Sequence, residues 1–275
     1  MSFELLIFTK DWLFGPDNNG KRYEGLIKVI NKGYSKNFFK YNIIITDRIT
    51  NSFISDIGFE PDQDVFFLLL GPKPVFDKLK NEHGLIRDFD KPTASAKESY
   101  SCHIPKQFED LFIIDDKTEI DVSIVKPDLV INDDILYRTL ATAGLKSFTG
   151  ESEYKDDPMA KEYQLTTVTS FLNGLGPKFL DIIIDKFLTN RASSIINHKG
   201  IDKFIIHSEV VREHGLVEYY TKYCGFKRVE KVPDFHVKVN PDGTTLNSPF
   251  MDVNLANSDF HLSYLYRVID ASYKV

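Results

Sequence analysis

The chain is predicted to be an α+β protein, with a central mixed β-sheet flanked by helices. Three observations predict this. Elements in the second half follow the order β-α-β-α-β-β, which implies a mixed sheet covered by helices. The first of those helices starts directly after a strand and a glycine-bearing loop. In the first half, Val65 to Leu70 is an unbroken apolar run of the kind buried on both faces.

The elements follow in order. Phe3 to Thr9 is apolar and suits a strand. Pro16-Asp17-Asn18-Asn19-Gly20 is a turn or loop. Arg22 to Tyr34 carries Leu26, Ile27, Ile30 and Tyr34 at helical spacing, with Gly33 weakening its end. Tyr41 to Thr46 reads as extended, and Asn51 to Ile57 as a short helix stopped by Gly58. Gly71-Pro72 ends the Val65 strand. From about 71 to 160 prolines punctuate short strand candidates at Leu111 to Ile114, Ile120 to Val125 and Leu129 to Ile131. This stretch reads as an insertion or elaborated middle of one domain spanning 1–275, with a core at 163–232.

The later elements are sharper. Tyr163 to Ser170 is a β-branched strand, and Pro177 to Leu188 a helix with proline in its first turn. Lys203 to Ser208 is a strand. Leu216 to Cys224 is a helix that Gly225 ends in a left-handed conformation. Phe226 to Val232 and His261 to Ile269 are strands, separated by breakers at Pro241-Asp242-Gly243 and Asn247-Ser248-Pro249.

Composition narrows the function classes. The 275 residues allow a substantial core, and 42% hydrophobic with 27% charged residues is ordinary for a globular protein. A net charge of −6 argues against a general nucleic-acid binder, which needs a basic surface. Cys102 and Cys224 form no disulfide framework or zinc spacing, and no histidine–carboxylate set shows metal spacing. Val65 to Leu70 is too short to span a membrane, and the start lacks a basic signal region. A cytosolic or nuclear protein is expected.

Gly174 and Gly176 let the backbone turn sharply between strand and helix. The first N–H groups of a helix have no partner within it, and its dipole favours an anion there. Pro177 has no N–H, so the donors come from Asn173 to Gly176 and Lys178. A pyrophosphate suits this place, as does a plain structural turn. The dinucleotide fingerprint fails because Phe179 takes the place of its third glycine, and the triphosphate loop fails for lack of a Gly-Lys-Ser/Thr ending.

Together with the helix ending Tyr219-Tyr220-Thr221-Lys222-Tyr223-Cys224-Gly225-Phe226, this loop resembles the GNAT superfamily of acyl-CoA-dependent N-acyltransferases. Phe171-Leu172-Asn173-Gly174-Leu175-Gly176 is similar to that family's Gln/Arg-x-x-Gly-x-Gly/Ala cofactor loop. The helix at Leu26 to Tyr34 looks like its first helix. Phe171 departs from the Gln or Arg of the pattern, and Tyr220 lies one residue further from Gly225 than is usual.

The resemblance implies acetyl-CoA as co-substrate, no metal, and an amine acceptor that attacks the thioester directly. It places the cofactor on Val168, Thr169, Ser170, Phe171, Asn173, Gly174, Leu175, Gly176 and Lys178. Tyr220 would protonate the departing thiolate, with Tyr219 the alternative and core packing the plain one. Glu162 is the first choice of general base, with Glu209 and His207 as others. A homodimer is left open. So are a catalytically inactive interaction module, which Phe171 supports, and an adenosylmethionine- or nucleotide-dependent enzyme.

Overall fold

The protein was studied as a computed structural model that describes residues 2–16, 21–61, 63–91, 95–189, 200–247 and 255–271. The turn expected at 17–20 and the breaker at 248–249 lie outside these residues. In chain order the elements are β1 (Phe3–Phe8), α1 (Lys10–Leu13), α2 (Glu24–Tyr41), α3 (Phe53–Ile57), β2 (Val65–Leu70), α4 (Lys73–His83), α5 (Ala96–Ser99) and β3 (Ile120–Ile124). There follow α6 (Asp133–Arg138), β4 (Thr139–Ser147), β5 (Ala160–Ser170), α7 (Leu175–Ile183), β6 (Lys203–Val211), α8 (Leu216–Tyr223), β7 (Lys227–Arg228), β8 (Phe235–Val237) and β9 (Phe260–Asp270). A π-helical turn, Ile184–Leu188, continues α7.

The described strands form one nine-stranded sheet in the order β3-β1-β2-β4-β5-β6-β9-β7, with β8 also on β9. β1 with β3 and β5 with β6 are parallel, and the remaining pairs antiparallel. This is the mixed sheet flanked by helices that the order of elements predicts. Alternation in the strands sorts side chains into two cores. On one face Phe67, Leu69, Leu145 and Leu165 pack with Phe76 of α4, Phe179 and Ile183 of α7 and Tyr220 of α8. On the other, Phe8, Phe66 and Leu68 pack with Trp12, Leu26, Ile30 and Phe53. Each such side chain, fully buried, contributes roughly 1.5–3 kcal/mol.

Several elements differ from the sequence reading. α2 continues through Gly33 to Tyr41. Tyr41 to Thr46 forms no strand; Ile44 makes a single bridge to Ala256. Leu111 lies in a 3-10 turn, Lys106–Phe112, and Leu129 to Ile131 is irregular. The strand after Gly225 shrinks to β7. Within 71–160 stand α4, the edge strand β3 and the central strand β4.

Candidate active site

The site begins where a ladder stops. β5 and β6 pair from Ala160↔Lys203 to Leu165↔Ser208, and no further. Both strands continue: β5 stays on β4 to Ser170, and β6 stays on β9 to Val211. They splay because β5 is bulged. Thr142 faces Thr169 and Gly144 faces Thr166, so Thr167 and Val168 together oppose Ala143. Such a bulge bends its strand and sharpens the local twist.

Thr167 takes a left-handed φ of 48°, unusual for a β-branched residue. Thr142 holds it there: its Oγ1 donates to Thr167 O at 2.8 Å. Gly144 is required opposite, since a Cβ would sit 2.8 Å from Thr166 Cγ2 and 2.9 Å from Phe59 Cζ. The opening is a cleft of about 1490 Å³, with Gln164 to Ser170 on one wall and Ser208 to Val211 on the other.

The glycine loop closes one end. Gly174 is left-handed, with φ 72°, and leads into α7. Among the described residues the N–H groups of Asn173, Gly174 and Gly176 donate to no backbone acceptor outside the helix. Gly176 has no side chain because Tyr219 Oη lies where a Cβ would come within 2.6 Å. Val168, Thr169, Ser170, Asn173, Gly174 and Gly176 all line the cleft.

Three other expected ligands lie elsewhere. Leu175 is buried in the core. Lys178 pairs with Asp116 at 3.3 Å, away from the cleft lining. Phe171 is fully buried, with its N–H given to Leu140 O at 2.8 Å and its carbonyl taken by the Ile104 N–H at 2.7 Å. Its ring packs edge-on against Phe89, and the buried Arg87 guanidinium lies 5.4 Å from its centroid. This cation–π contact helps hold in the core a ring that stands where the loop pattern has a polar side chain.

α8 supplies the tyrosines. Tyr220 is 7% exposed, lines the cleft and packs edge-on against Phe226 at 5.2 Å. Burial pushes its hydroxyl well above the usual range, and neighbouring Tyr34 of α2 adds to this. Burial pushes Tyr219 up to about 12. The extra residue before Gly225 is absorbed past the helix: the N–H groups of Cys224 and Phe226 both turn back to Tyr220 O.

Of the candidate bases, Glu162 accepts from His207 Nε2 at 2.6 Å, and His207 stacks on Phe148. Neither Glu162 nor His207 lines the cleft. Glu209 does, just beyond the last β5–β6 pair. Burial raises its carboxyl above the ordinary value, and Lys146 partly offsets this. Burial in turn lowers Lys146, whose Nζ donates to Ile57 O at 3.1 Å.

Sequence reading missed Lys36, His103, Arg48 and Lys146, all of which line the cleft. For Lys36 a signal existed. Lys28, Lys32, Lys36 and Lys40 recur every four residues, so they share one face of a helix that continues past Gly33. Among the described residues no group of three or more His, Cys, Asp or Glu could hold a metal ion.

A family model described as sporulation protein RMD6 matches residues 1–269. Sporulation protein RMD6 of Saccharomyces cerevisiae is 26% identical over 220 residues, covering 75% of this chain and 73% of that protein. Among solved structures, an N-acetyltransferase from Staphylococcus aureus Mu50 aligns with 99% of this chain and 100% of its own, at TM-score 0.35 and 10% identity. A Bacillus subtilis acetyltransferase in complex with CoA aligns with 48% of this chain and 70% of its own, at TM-score 0.24 and 13% identity. A chimeric spermidine N-acetyltransferase SpeG from Vibrio cholerae and hSSAT aligns with 74% of this chain and 94% of its own, at TM-score 0.24 and 14% identity.

Proposed function

The chain belongs to the sporulation protein RMD6 family, and from its cleft we propose that it moves an acetyl group from acetyl-CoA to a primary amine by direct attack in a ternary complex. The observation that carries this reading is the early end of the β5–β6 ladder, with a bulge at the split and a glycine-started helix at one end. A splayed strand edge offers backbone groups to the amides of a pantetheine arm. The free N–H groups at α7 suit the pyrophosphate.

The residues then divide the work. Glu209 takes a proton from the incoming ammonium, directly or through water. The amine nitrogen bonds to the thioester carbonyl carbon, and N–H groups beside the bulge stabilise the oxygen as it becomes negative. The C–S bond breaks, Tyr220 gives its proton to the departing thiolate, and the second proton shed by the new amide nitrogen returns through water to the tyrosinate. A hydroxyl whose pKa is pushed up by burial keeps that proton at neutral pH.

A second reading, a catalytically inactive module of the same fold, draws on the burial of Phe171 away from the cleft. Titration calorimetry followed by transfer of labelled acetyl groups to a panel of primary amines separates the two. Micromolar acetyl-CoA affinity with amine-dependent release of CoA is expected. Tight binding without turnover on any amine would favour the inactive module, and absence of binding to any CoA ester would overturn the cofactor assignment.

A further inference from the structure

Lys36 stands on α2 just past Gly33, where the helix comes down onto β5. A Cβ on Gly33 would lie 2.6 Å from Thr169 Cβ, so the close approach depends on glycine. From there Lys36 Nζ donates to Ser170 O at 3.2 Å, at the last residue of β5 before the loop. Among the described residues no carboxylate pairs with it. Burial lowers the ammonium to about 8, and Lys40 one turn on works in the same direction. An ammonium held out of water without a counter-ion is costly, and a lysine with a free choice extends its stem and puts its head in solvent.

His103 lies beside it. Its ring lines the cleft and packs against Phe171, and its Nε2 is buried without a partner. Burial, then Lys36 and Arg87, hold it neutral down to about 3. The loop end of the cleft therefore joins an uncompensated ammonium, an unpartnered ring nitrogen and the free N–H groups of Asn173, Gly174 and Gly176. All but the ring nitrogen are donors, and that nitrogen is a donor in the tautomer with its proton on Nε2. The neighbouring position 171, which could have carried a polar side chain, points into the core.

We propose that Lys36 is the cationic ligand of the cofactor's pyrophosphate, delivered from α2 to a loop that lacks a basic side chain of its own, with neutral His103 as an added donor. The inference rests on the reading of the cleft as a CoA site. Lysine serves here as a point charge on a diphosphate.

Calorimetry on the full chain tests it, with CoA, pantetheine (which has no phosphate) and inorganic pyrophosphate as probes. Lys36→Met is expected to weaken CoA about tenfold or more, and Lys36→Arg to restore most of that. Pantetheine should bind all three proteins alike, and inorganic pyrophosphate should compete with CoA in the wild type and Lys36→Arg but not in Lys36→Met. The Lys36→Met thermal midpoint should match or exceed the wild type, because the variant replaces a half-buried ammonium that has no carboxylate partner among the described residues with an apolar side chain of similar length. That separates lost affinity from lost fold. If the wild type binds CoA and Lys36→Met binds it equally well, the proposal is overturned and the CoA reading stands. If the wild type binds no CoA ester but binds inorganic pyrophosphate through Lys36, the CoA reading fails and the diphosphate ligand stands. Binding of neither overturns both.

Discussion

Tyr220 is a buried and Glu209 a half-buried ionisable group at the cleft, and desolvation moves both upward in pKa. For an acid the shift preserves the proton, and for a base it delays ionisation. Tyr220→Phe should therefore lower kcat by about a hundredfold, the low end of general acid catalysis, while acetyl-CoA affinity stays within about twofold. Steady-state kinetics beside calorimetry would check this; an unchanged kcat removes the acid role. Tyr219→Phe should spare kcat more, since its hydroxyl lies over Gly176 at the loop. In the proposed mechanism the acid limb belongs to Glu209. Because its carboxyl must be ionised to accept a proton, and its pKa lies above 4.5, kcat/KM should fall as pH drops through that raised value. Glu209→Gln should abolish this limb while Glu162→Gln leaves it in place. Tyr220 was legible in the sequence because helix periodicity and the Gly225-Phe226 stop fix its face. Which of Glu162 and Glu209 lines the cleft was not legible. It depends on where β5 and β6 separate, and no side-chain pattern records that point.

Two glycines govern how elements meet. Gly33 was read as a weak helix end because glycine is costly inside a helix. Its role is instead to let α2 touch β5 at Thr169, just past the bulge, and the helix continues beyond it. Gly33→Ala should cost about 1–3 kcal/mol by overpacking and push α2 off β5, carrying Lys36 away from the loop. Chemical denaturation with a CoA titration would show both losses together, and a stability within about 0.5 kcal/mol of wild type would refute the contact. Gly176 meets only the Tyr219 hydroxyl, whose Cζ would be 3.7 Å from an added Cβ. Gly176→Ala should therefore weaken CoA in the wild type and less so in a Tyr219→Phe background. A double-mutant cycle measures this, and strict additivity would contradict it.

Strands with alternation or β-branching were legible, as were helices with a clear apolar face. β4 was not: Leu140-Ala141-Thr142-Ala143-Gly144-Leu145 is buried throughout and made of small residues, so it has neither alternation nor high β-propensity. Its small side chains fit where β5 bulges towards it. α4 was hidden by Pro74, read as a breaker although it stands in the first helical turn, where proline is tolerated.

At the scale of the whole molecule, the sheet ties distant parts of the chain into one unit. β4, from within 71–160, lies between β2 and β5, and β3 from the same stretch edges β1. The core on the α7 face draws residues from Phe3 to Ala271. A chain built this way should unfold as one domain. Fluorescence of Trp12, the single tryptophan, reports the α2 face, and far-UV circular dichroism reports all elements. Their urea transitions should coincide. Acetyl-CoA at a hundred times its Kd should move both together, adding about 2.7 kcal/mol. Separate transitions, or a ligand shift confined to one probe, would divide the chain into independent parts. Replacing 71–160 by a short linker sharpens the test, since it removes the strand on which β5 is bulged. Without β4 neither the split from β6 nor the cleft can form, so that variant should show no cooperative transition and no CoA binding. A cooperative, CoA-binding variant would mean that β2 can take the place of β4 beside β5, and that the bulge rather than its partner strand shapes the cleft.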